Sequence, residues 1–172
     1  SSIYGISPRM RFDLAVNSIV LDLFNSGKII IYGKENRRPF LHIKDAIRAY
    51  LLVIQSKTSK ISGQIFNVGS DQQNYRIYDL AKSVGDSISD NYEFEAKDTP
   101  DDRSYFASFE KISKVLGFKS EHTVEEASSE IYGELKTKKM IFTEKMITVK
   151  WYNHILSNPD LLQKLSINNK FL

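Results

Sequence analysis

The clearest structural pattern in the chain occupies residues 28–54, which read KIIIYGKENRRPFLHIKDAIRAYLLVI. Isoleucines followed by a tyrosine predict a strand over 29–32, because β-branched and aromatic side chains suit a pleated surface. A polar turn over 34–38 leads to an extended segment over 39–43. Asp45 is predicted to cap the helix that follows. The apolar stripe of that helix consists of Ile47, Tyr50, Leu51 and Ile54.

Helices and strands alternate on both sides of this pattern. Upstream, residues 2–5 are typical of the end of a strand, and Asp13 is predicted to cap a helix that ends at Gly27. Downstream, β-forming residues predict strands over 64–68 and 92–96. Because the two element types alternate, the sequence favours an α/β architecture, or an α+β one.

The second half of the chain adds mainly helical patterns. One helix carries Leu80, Ala81, Val84 and Ile88, and another ends at Gly117. Thr123 and Glu126 have the spacing of a capping box, which predicts the start of a third helix. Residues 147–156 are predicted to form a further short helix or strand.

The composition is that of a globular protein and excludes several classes of site. The 172 residues are 41% hydrophobic and 26% charged, with a net charge of +3 and no cysteine. Disulfides, thiolate metal sites and a cysteine nucleophile are therefore excluded. Interspersed charges argue against nucleic-acid binding. No apolar run approaches the ~20 residues of a membrane span, so no membrane partner is expected. The expected location is the cytoplasm.

The glycines and histidines do not form the usual cofactor or metal motifs. The eight glycines nowhere approach the G-x-G-x-x-G or P-loop spacing that lets backbone N–H groups surround a phosphate. We therefore expect no cofactor-binding residues in this chain. His42, His122 and His154 share no ligand spacing, so no metal site is expected either.

Two pairs, Tyr78 with Lys82 and Tyr132 with Lys136, match the Y-x-x-x-K spacing. That spacing places tyrosine and lysine one helical turn apart, where the lysine can lower the tyrosine pKa. With nine tyrosines in the chain, chance matches are expected. We interpret both as pairs on helix surfaces, and we predict no catalytic residue in this chain.

Arginines are the better candidates for substrate recognition. Arg37 and Arg38 precede Pro39 between two extended segments, and Arg103 ends a charged loop. The planar guanidinium suits bidentate binding of phosphate. The alternative is that these arginines lie on a solvated surface, with Arg103 paired to Asp102.

Taken in order, the motifs resemble the extended short-chain dehydrogenase/reductase family of NAD-dependent nucleotide-sugar epimerases and dehydratases. The segments that carry the resemblance are YGISPRMRFDLAVN (4–17), IIIYGKENRRPFLHIKDAIRAYL (29–51), GQIFNVGSDQQNYRIYDLA (63–81), DDRSYFASFEKISKVLGF (101–118) and TVEEASSEIY (123–132). RPFLHIKDAIRAY, FNVGS and DDRSY in register are the most specific of them.

The resemblance implies a two-part enzyme. In the family an N-terminal Rossmann sheet binds NAD through a glycine-rich loop and supplies a tyrosine base, and a C-terminal part binds the nucleotide diphosphate sugar. This chain resembles only the C-terminal part, without the dinucleotide-binding sheet. We assign residues 1–135 to substrate binding and residues 136–172 to a tail that packs on them.

The resemblance also implies six substrate-binding residues. Two arginines contact the diphosphate, two strand residues line the base pocket, and two amide side chains contact the diphosphate or the sugar. In that order they are Arg38 and Arg103, Ile30 and Tyr32, and Asn17 and Gln72.

The leading functional interpretation is the nucleotide-sugar-binding portion of an NAD-dependent, 4-epimerase-like enzyme. The chain alone is then expected to bind no NAD and to be inactive. Epimerase, dehydratase and reductase are not separated by these motifs. The alternatives are a non-catalytic nucleotide-sugar-binding module or partner subunit, and a nucleic-acid binder recognisable by steep salt dependence.

The start of the chain also carries an expectation about assembly. Residues 2–5 suggest a strand that pairs inside a larger sheet, next to a missing N-terminal Rossmann part. Unpaired strand edges bind other chains. We therefore expect homo-oligomers to form through residues 3–4 or 65–68.

Overall fold

The computed structural model describes residues 1–100, 103–167 and 170–171. Asp101 and Asp102 lie outside the described residues, and so does the predicted pairing of Arg103 with Asp102. The described chain has the α/β architecture that the alternation of elements predicts, and this part of the sequence interpretation is confirmed. No helix in the described ranges combines the length and apolarity needed to cross a membrane.

Eight helices and seven strands are described, together with 3-10 turns over Asp71–Gln73 and Glu144–Met146. The helices are α1 (Ala15–Ser26), α2 (Ile43–Gln55), α3 (Thr58–Ile61), α4 (Ile77–Ile88), α5 (Glu110–Leu116), α6 (Val124–Lys136), α7 (Thr148–Leu156) and α8 (Pro159–Leu165). The strands are β1 (Ser2–Tyr4), β2 (Lys28–Tyr32), β3 (Arg37–His42), β4 (Asn74–Arg76), β5 (Glu93–Lys97), β6 (Ser166–Ile167) and β7 (Lys170–Phe171).

The strands form three small sheets. In the first, β3 pairs in parallel with β1 and antiparallel with β4. In the second, β2 pairs in parallel with β5, so that Tyr32 and Lys97 lie side by side at the carboxyl ends. β6 and β7 form an antiparallel hairpin.

The main hydrophobic core lies between helices α1, α4 and α6 and the inner faces of the sheets. Its most deeply buried side chains include Tyr4, Phe12, Val20, Ile29, Phe40, Leu80, Val84, Val124 and Ile131. A second, smaller core joins α2 to α5 through Ala49, Phe109, Ile112 and Phe118. Burial of these side chains is the principal favourable contribution to folding.

Several helix ends follow the local sequence signals. Gly27 and Gly117 are the C-caps of α1 and α5 and adopt the left-handed conformation, with φ of 66° and 72°. The capping box of α6 is complete, because the Thr123 hydroxyl accepts from the Glu126 N–H and the Glu126 carboxylate accepts from the Thr123 N–H.

The prediction that Asp13 caps the first helix is wrong. α1 begins at Ala15, and its N-cap residue is Leu14. The Asp13 carboxylate instead binds Arg11, whose guanidinium donates to both carboxylate oxygens at 3.1 and 2.9 Å. These hydrogen bonds lower the pKa of Asp13. The Asp13 carboxylate is therefore bound by the Arg11 guanidinium and does not cap α1.

The strand predicted over residues 64–68 is also absent: none of these residues belongs to a strand. A strand needs a hydrogen-bonded neighbour along its length. Here the Val68 carbonyl accepts from the Ser1 hydroxyl at 3.1 Å, which is a side-chain contact and not strand pairing. Without a partner strand, β-propensity alone does not organise the segment.

Asp45 has a structural role, as predicted, but it is not the helix cap. The cap of α2 is His42, whose Nδ1 accepts from the Lys44 N–H at 3.2 Å. Asp45 is fully buried in the first turn, and its carboxylate accepts from the N–H groups of Glu121 and His122 at 3.1 and 3.0 Å. It also accepts from Arg48 at 2.6 Å. Asp45 therefore ties α2 to the segment that precedes α6.

Replacing Asp45→Asn is expected to lower the free energy of unfolding by about 3 kcal/mol, because it exchanges charge-assisted hydrogen bonds for a group with its own N–H donors. Urea denaturation measures the change. Asp90→Asn, at an exposed loop residue, is the control and is expected to leave the midpoint unchanged. Equal midpoints for Asp45→Asn and the wild type would show that the carboxylate does not tie the two segments.

The apolar stripe of α2 lies on the surface. Tyr50 and Ile54 are 75% and 77% exposed, and Ile47 and Leu51 are about half exposed. The periodicity therefore identifies the helix correctly but does not identify a face buried in this chain. Beside the stripe lies an apolar cavity of about 620 Å³, also lined by Tyr50.

The segment after α6 packs on the rest of the chain. The Phe12 N–H donates to the Met146 carbonyl at 2.9 Å, and the Phe12 and Phe142 rings meet edge to face at 5.9 Å. Met140, Met146 and Ile147 contact the main core. These contacts position α7 against the loop that leads into α1.

Candidate functional site

The carboxyl ends of β2 and β5 form the base of the candidate site. The Gly33 N–H donates to the Lys97 carbonyl at 3.2 Å, which continues the parallel pairing into the turn after β2. Gly33 has a φ of 63°, and a Cβ there would lie 2.6 Å from Asn36 Nδ2 and 2.7 Å from Thr99 Cγ2. Only glycine fits between these side chains, so the loop after β5 packs directly against the turn after β2.

Tyr32 and Ile30 lie on the face of β2 that points away from the main core. Ile29 and Ile31 are buried, whereas Ile30 is half-buried and Tyr32 is 59% exposed. Tyr32 is the last residue of its strand. In open α/β folds, ligands bind beyond the carboxyl ends of parallel strands. The two predicted base-pocket residues therefore share one face of β2, and Tyr32 lies at the end of the strand where a ligand would be expected.

The segment that contains Arg103 is hydrogen-bonded to the start of β3. The Arg37 N–H donates to the Ser104 hydroxyl at 2.9 Å, and the Tyr105 N–H donates to the Arg37 carbonyl at 3.1 Å. Arg38 and Arg103 are 65 positions apart in the sequence. The fold thus places the residues adjacent to each arginine in direct contact.

The Arg38 side chain has a defined conformation. Its Nη1 donates to the Arg37 carbonyl at 2.9 Å, and its Cζ lies 5.0 Å from the centroid of the Tyr105 ring. Arg38 is half-buried, whereas Arg103 is exposed. The half-buried guanidinium is held both by the main chain and by an aromatic face.

The nearby Arg76 is engaged by acidic side chains. Arg76 pairs with Arg37 across β3 and β4, where two like charges repel. Its guanidinium binds Asp79 at 2.7 Å and Glu35 at 3.2 Å, and it lies over the Tyr78 ring. The hydrogen bond from Arg76 lowers the pKa of Asp79. The two carboxylates also offset the repulsion between Arg76 and Arg37. Arg76 is therefore a structural arginine.

The Asn17 side chain is buried and bound by the chain itself. Its Oδ1 accepts from the Gly5 N–H at 3.3 Å, and its Nδ2 donates to the Arg11 carbonyl at 2.9 Å. These bonds hold the two ends of the loop between β1 and α1. Both the Oδ1 and the Nδ2 atom of Asn17 are therefore hydrogen-bonded to the main chain of the loop.

Gln72 lies at a cavity of about 490 Å³. Its side chain hydrogen-bonds the Ser70 hydroxyl. The cavity is lined by residues 69–72, 109–110, 113–114 and 118–120, and neither Arg38 nor Arg103 is among them. The structure therefore does not bring Gln72 together with the predicted diphosphate arginines at this cavity.

The Y-x-x-x-K pairs have other contacts. Lys82 donates to the Tyr92 hydroxyl at 2.9 Å, and the Tyr78 ring packs edge to face on Phe94. The Tyr132 ring packs on Phe24. These contacts agree with the interpretation of both pairs as structural.

A histidine pair, with His42 buried and His122 half-buried, was not predicted from the sequence. The rings of His42 and His122 lie 4.6 Å apart, and Tyr4 contacts the His42 ring edge to face. Burial lowers the pKa of His42, and the neighbouring His122 and Lys44 lower it further. Because the two histidines are 80 positions apart, no local motif indicates the pair. In the described ranges, no group of three or more His, Asp or Glu side chains could hold a metal ion.

The lowered pKa of His42 predicts that the chain loses stability in mild acid. The unfolded chain has a histidine pKa near 6.5, so below that pH it takes up a proton that the folded chain resists. Stability from this group is therefore complete above about pH 6.5 and decreases as the pH falls toward the lower folded pKa. Urea midpoints at pH 7.5 and 5.5 measure the loss.

His42→Asn keeps a capping side chain and is expected to show a smaller loss between these pH values. His154→Asn, at an exposed histidine, is the matched control and is expected to behave as the wild type does. An equal loss in His42→Asn and the wild type would assign the acid sensitivity to other groups.

Comparison with known proteins finds similarity to one family over part of the chain. Residues 1–69 match the model of the NAD-dependent epimerase/dehydratase family. A 55-residue stretch is 38% identical to UDP-D-apiose/UDP-D-xylose synthase 2 of Arabidopsis thaliana, covering 32% of this chain and 14% of that protein. The resemblance predicted from the sequence is thereby confirmed.

The fold of this chain is similar to that of solved structures over about four-fifths of its length. The UDP-glucuronic acid 4-epimerase of Bacillus cereus, in complex with NAD, aligns with a TM-score of 0.65 and 20% identity over 81% of this chain and 44% of that one. DesIV, the dTDP-glucose 4,6-dehydratase of Streptomyces venezuelae, aligns with a TM-score of 0.64 and 18% identity over 80% and 42%. The chain thus spans less than half the length of these neighbours.

Proposed function

We propose that this chain is the nucleotide-sugar-binding portion of an NAD-dependent epimerase or dehydratase, with 4-epimerase-like chemistry in the whole protein. Arg38 and Arg103 bind the diphosphate, and Tyr32 and Ile30 line the base pocket. The observation that carries the proposal is a pair of hydrogen bonds: the Arg37 N–H donates to the Ser104 hydroxyl, and the Arg37 carbonyl accepts from the Tyr105 N–H.

The chemistry of this region suits a nucleoside diphosphate. A guanidinium meets phosphate oxygens with two parallel N–H donors, and a diphosphate offers two such groups. Tyr32 supplies an exposed aromatic surface at the end of β2. One of the structural neighbours, the Bacillus cereus epimerase, is known in complex with UDP-glucuronic acid and NAD. These observations favour a UDP-sugar or a related compound as the substrate class.

The glycine turns at Gly33 and Gly69 do not fit the pyrophosphate of NAD. A phosphate-binding turn needs open space over its backbone N–H groups. Here Thr99 and Asn36 fill the space over Gly33, and a Cβ at Gly69 would lie 2.6 Å from the Phe109 ring. We therefore assign NAD, and the oxidation of the sugar by hydride transfer, to a separate dinucleotide-binding portion. This chain alone is expected to be inactive.

The exposed face of α2 is the proposed docking surface for that Rossmann portion. The apolar cavity beside it is lined by Ile3, Leu41, Phe66 and Val68, among others. β1 pairs with β3 and so leaves its other edge at the border of the sheet. An apolar helix face beside a parallel edge strand is the surface that a larger parallel sheet would cover. Residues 1–135 would then form the substrate-binding unit.

Arg38→Ala and Arg103→Ala are each expected to weaken binding of UDP to the chain about tenfold, since a charge-assisted hydrogen bond contributes roughly 1.5–3 kcal/mol. Uridine binding is expected to change much less, because it lacks the diphosphate. Isothermal titration calorimetry with UDP, dTDP and uridine measures both effects. Arg9→Ala, at an exposed arginine, is the control. Unchanged affinity for UDP in both variants would exclude the two arginines as diphosphate ligands.

Self-association of the isolated chain is expected through the α2 face and the β1 edge. Sedimentation velocity over rising concentration should show dimers or larger species. Replacing Ile47 and Ile54 by lysine should shift the chain to monomer, whereas Ile141→Lys, at a 70% exposed residue outside this face, should not. A wild-type chain that stays monomeric at high concentration would contradict the proposal.

A non-catalytic nucleotide-sugar-binding module or partner subunit is the second candidate. It is favoured by the contacts of Arg37 with Ser104 and Tyr105, because the residues that position Arg38 all lie within this chain. The reading frame upstream of Ser1 separates the two candidates. A glycine-rich dinucleotide motif there supports the enzyme portion, and a start codon at Ser1 supports the module.

A further inference from the structure

Tyr105 and Arg38 are attached to the same main-chain oxygen. The Arg37 carbonyl accepts from the Tyr105 N–H at 3.1 Å and from Arg38 Nη1 at 2.9 Å. The Arg38 guanidinium carbon lies 5.0 Å from the centroid of the Tyr105 ring. Ring and guanidinium are therefore fixed relative to each other by one acceptor and one face-on contact.

This arrangement limits the conformations that the Arg38 side chain can adopt. The Tyr105 ring lies against the guanidinium as a cation–π partner, and the Arg37 carbonyl holds its Nη1. Arginine side chains have many rotamers, and ordering one of them during binding costs affinity. A side chain that is already ordered avoids that cost.

The Tyr105 ring does not serve the hydrophobic cores. It is 51% exposed, and it belongs to neither cluster of buried side chains. The next residue, Phe106, is also an exposed aromatic, at 60%. The pair offers a comparison of two adjacent exposed aromatic residues, because the Arg38 guanidinium lies over the Tyr105 ring.

We propose that Tyr105 is a positioning residue that orients Arg38 toward the diphosphate of the substrate. The proposal rests on the proposed function, because it assigns Arg38 to the diphosphate. It adds that affinity for the diphosphate depends on the aromatic ring at position 105 rather than on its hydroxyl.

The test uses the full chain with UDP and uridine as probes. Tyr105→Leu is expected to weaken UDP binding by about two- to fivefold, the range of an exposed cation–π contact, and to leave uridine binding unchanged. Tyr105→Phe, which keeps the ring, and Phe106→Leu are expected to bind UDP as the wild type does. In the Arg38→Ala background, Tyr105→Leu should have no further effect.

NMR of the arginine side chains provides a readout that needs no ligand. The Arg38 side-chain resonances should carry the ring-current shift of Tyr105 in the wild type and in Tyr105→Phe, and should lose it in Tyr105→Leu. Circular dichroism confirms that each variant is folded.

The outcomes separate the two proposals. If the wild type binds neither UDP nor dTDP, the proposed function fails and this inference fails with it. If Arg38→Ala weakens UDP binding but Tyr105→Leu does not, only the role of Tyr105 is overturned. Equal losses for UDP and uridine, or additive losses in the double variant, also overturn it, because they would show that Tyr105 acts independently of Arg38.

Discussion

The rest of the structure depends on the backbone pairing of β3. Its second half pairs with β1 in parallel, and its first half pairs with β4 and with the segment at Ser104. The strand carries Arg38 near its first residue, and His42 at its last residue caps α2. One six-residue strand thereby fixes both the candidate diphosphate site and the direction of the helix behind it.

The connection continues from β3 into the helical layer through buried polar groups. His42 caps α2, and Asp45 one turn later binds the main chain at Glu121 and His122. That segment leads into α6, which packs in the main core. A buried carboxylate is costly unless it is fully hydrogen-bonded, so these bonds specify one arrangement of β3, α2 and α6.

Local chemistry explains what the sequence predicts well. The ends of helices at Gly27 and Gly117 and the capping box at Thr123 depend on residues a few positions apart. The strand over 64–68, the exposed face of α2 and the pairing of His42 with His122 depend on distant or external partners, which no local pattern contains. The same division holds at the site, where motifs single out Arg38 but its contact with the Tyr105 ring appears only in the fold.

The central claim is that a nucleoside diphosphate binds where β2, β3 and the segment after Arg103 meet. Amide hydrogen exchange of the chain with and without saturating UDP tests it most directly. We predict slower exchange over residues 32–38 and 103–106, and unchanged exchange over residues 69–72 and 109–120 around the 490 Å³ cavity. Protection confined to that cavity, with none at the Arg37 and Tyr105 amides, would contradict the claim.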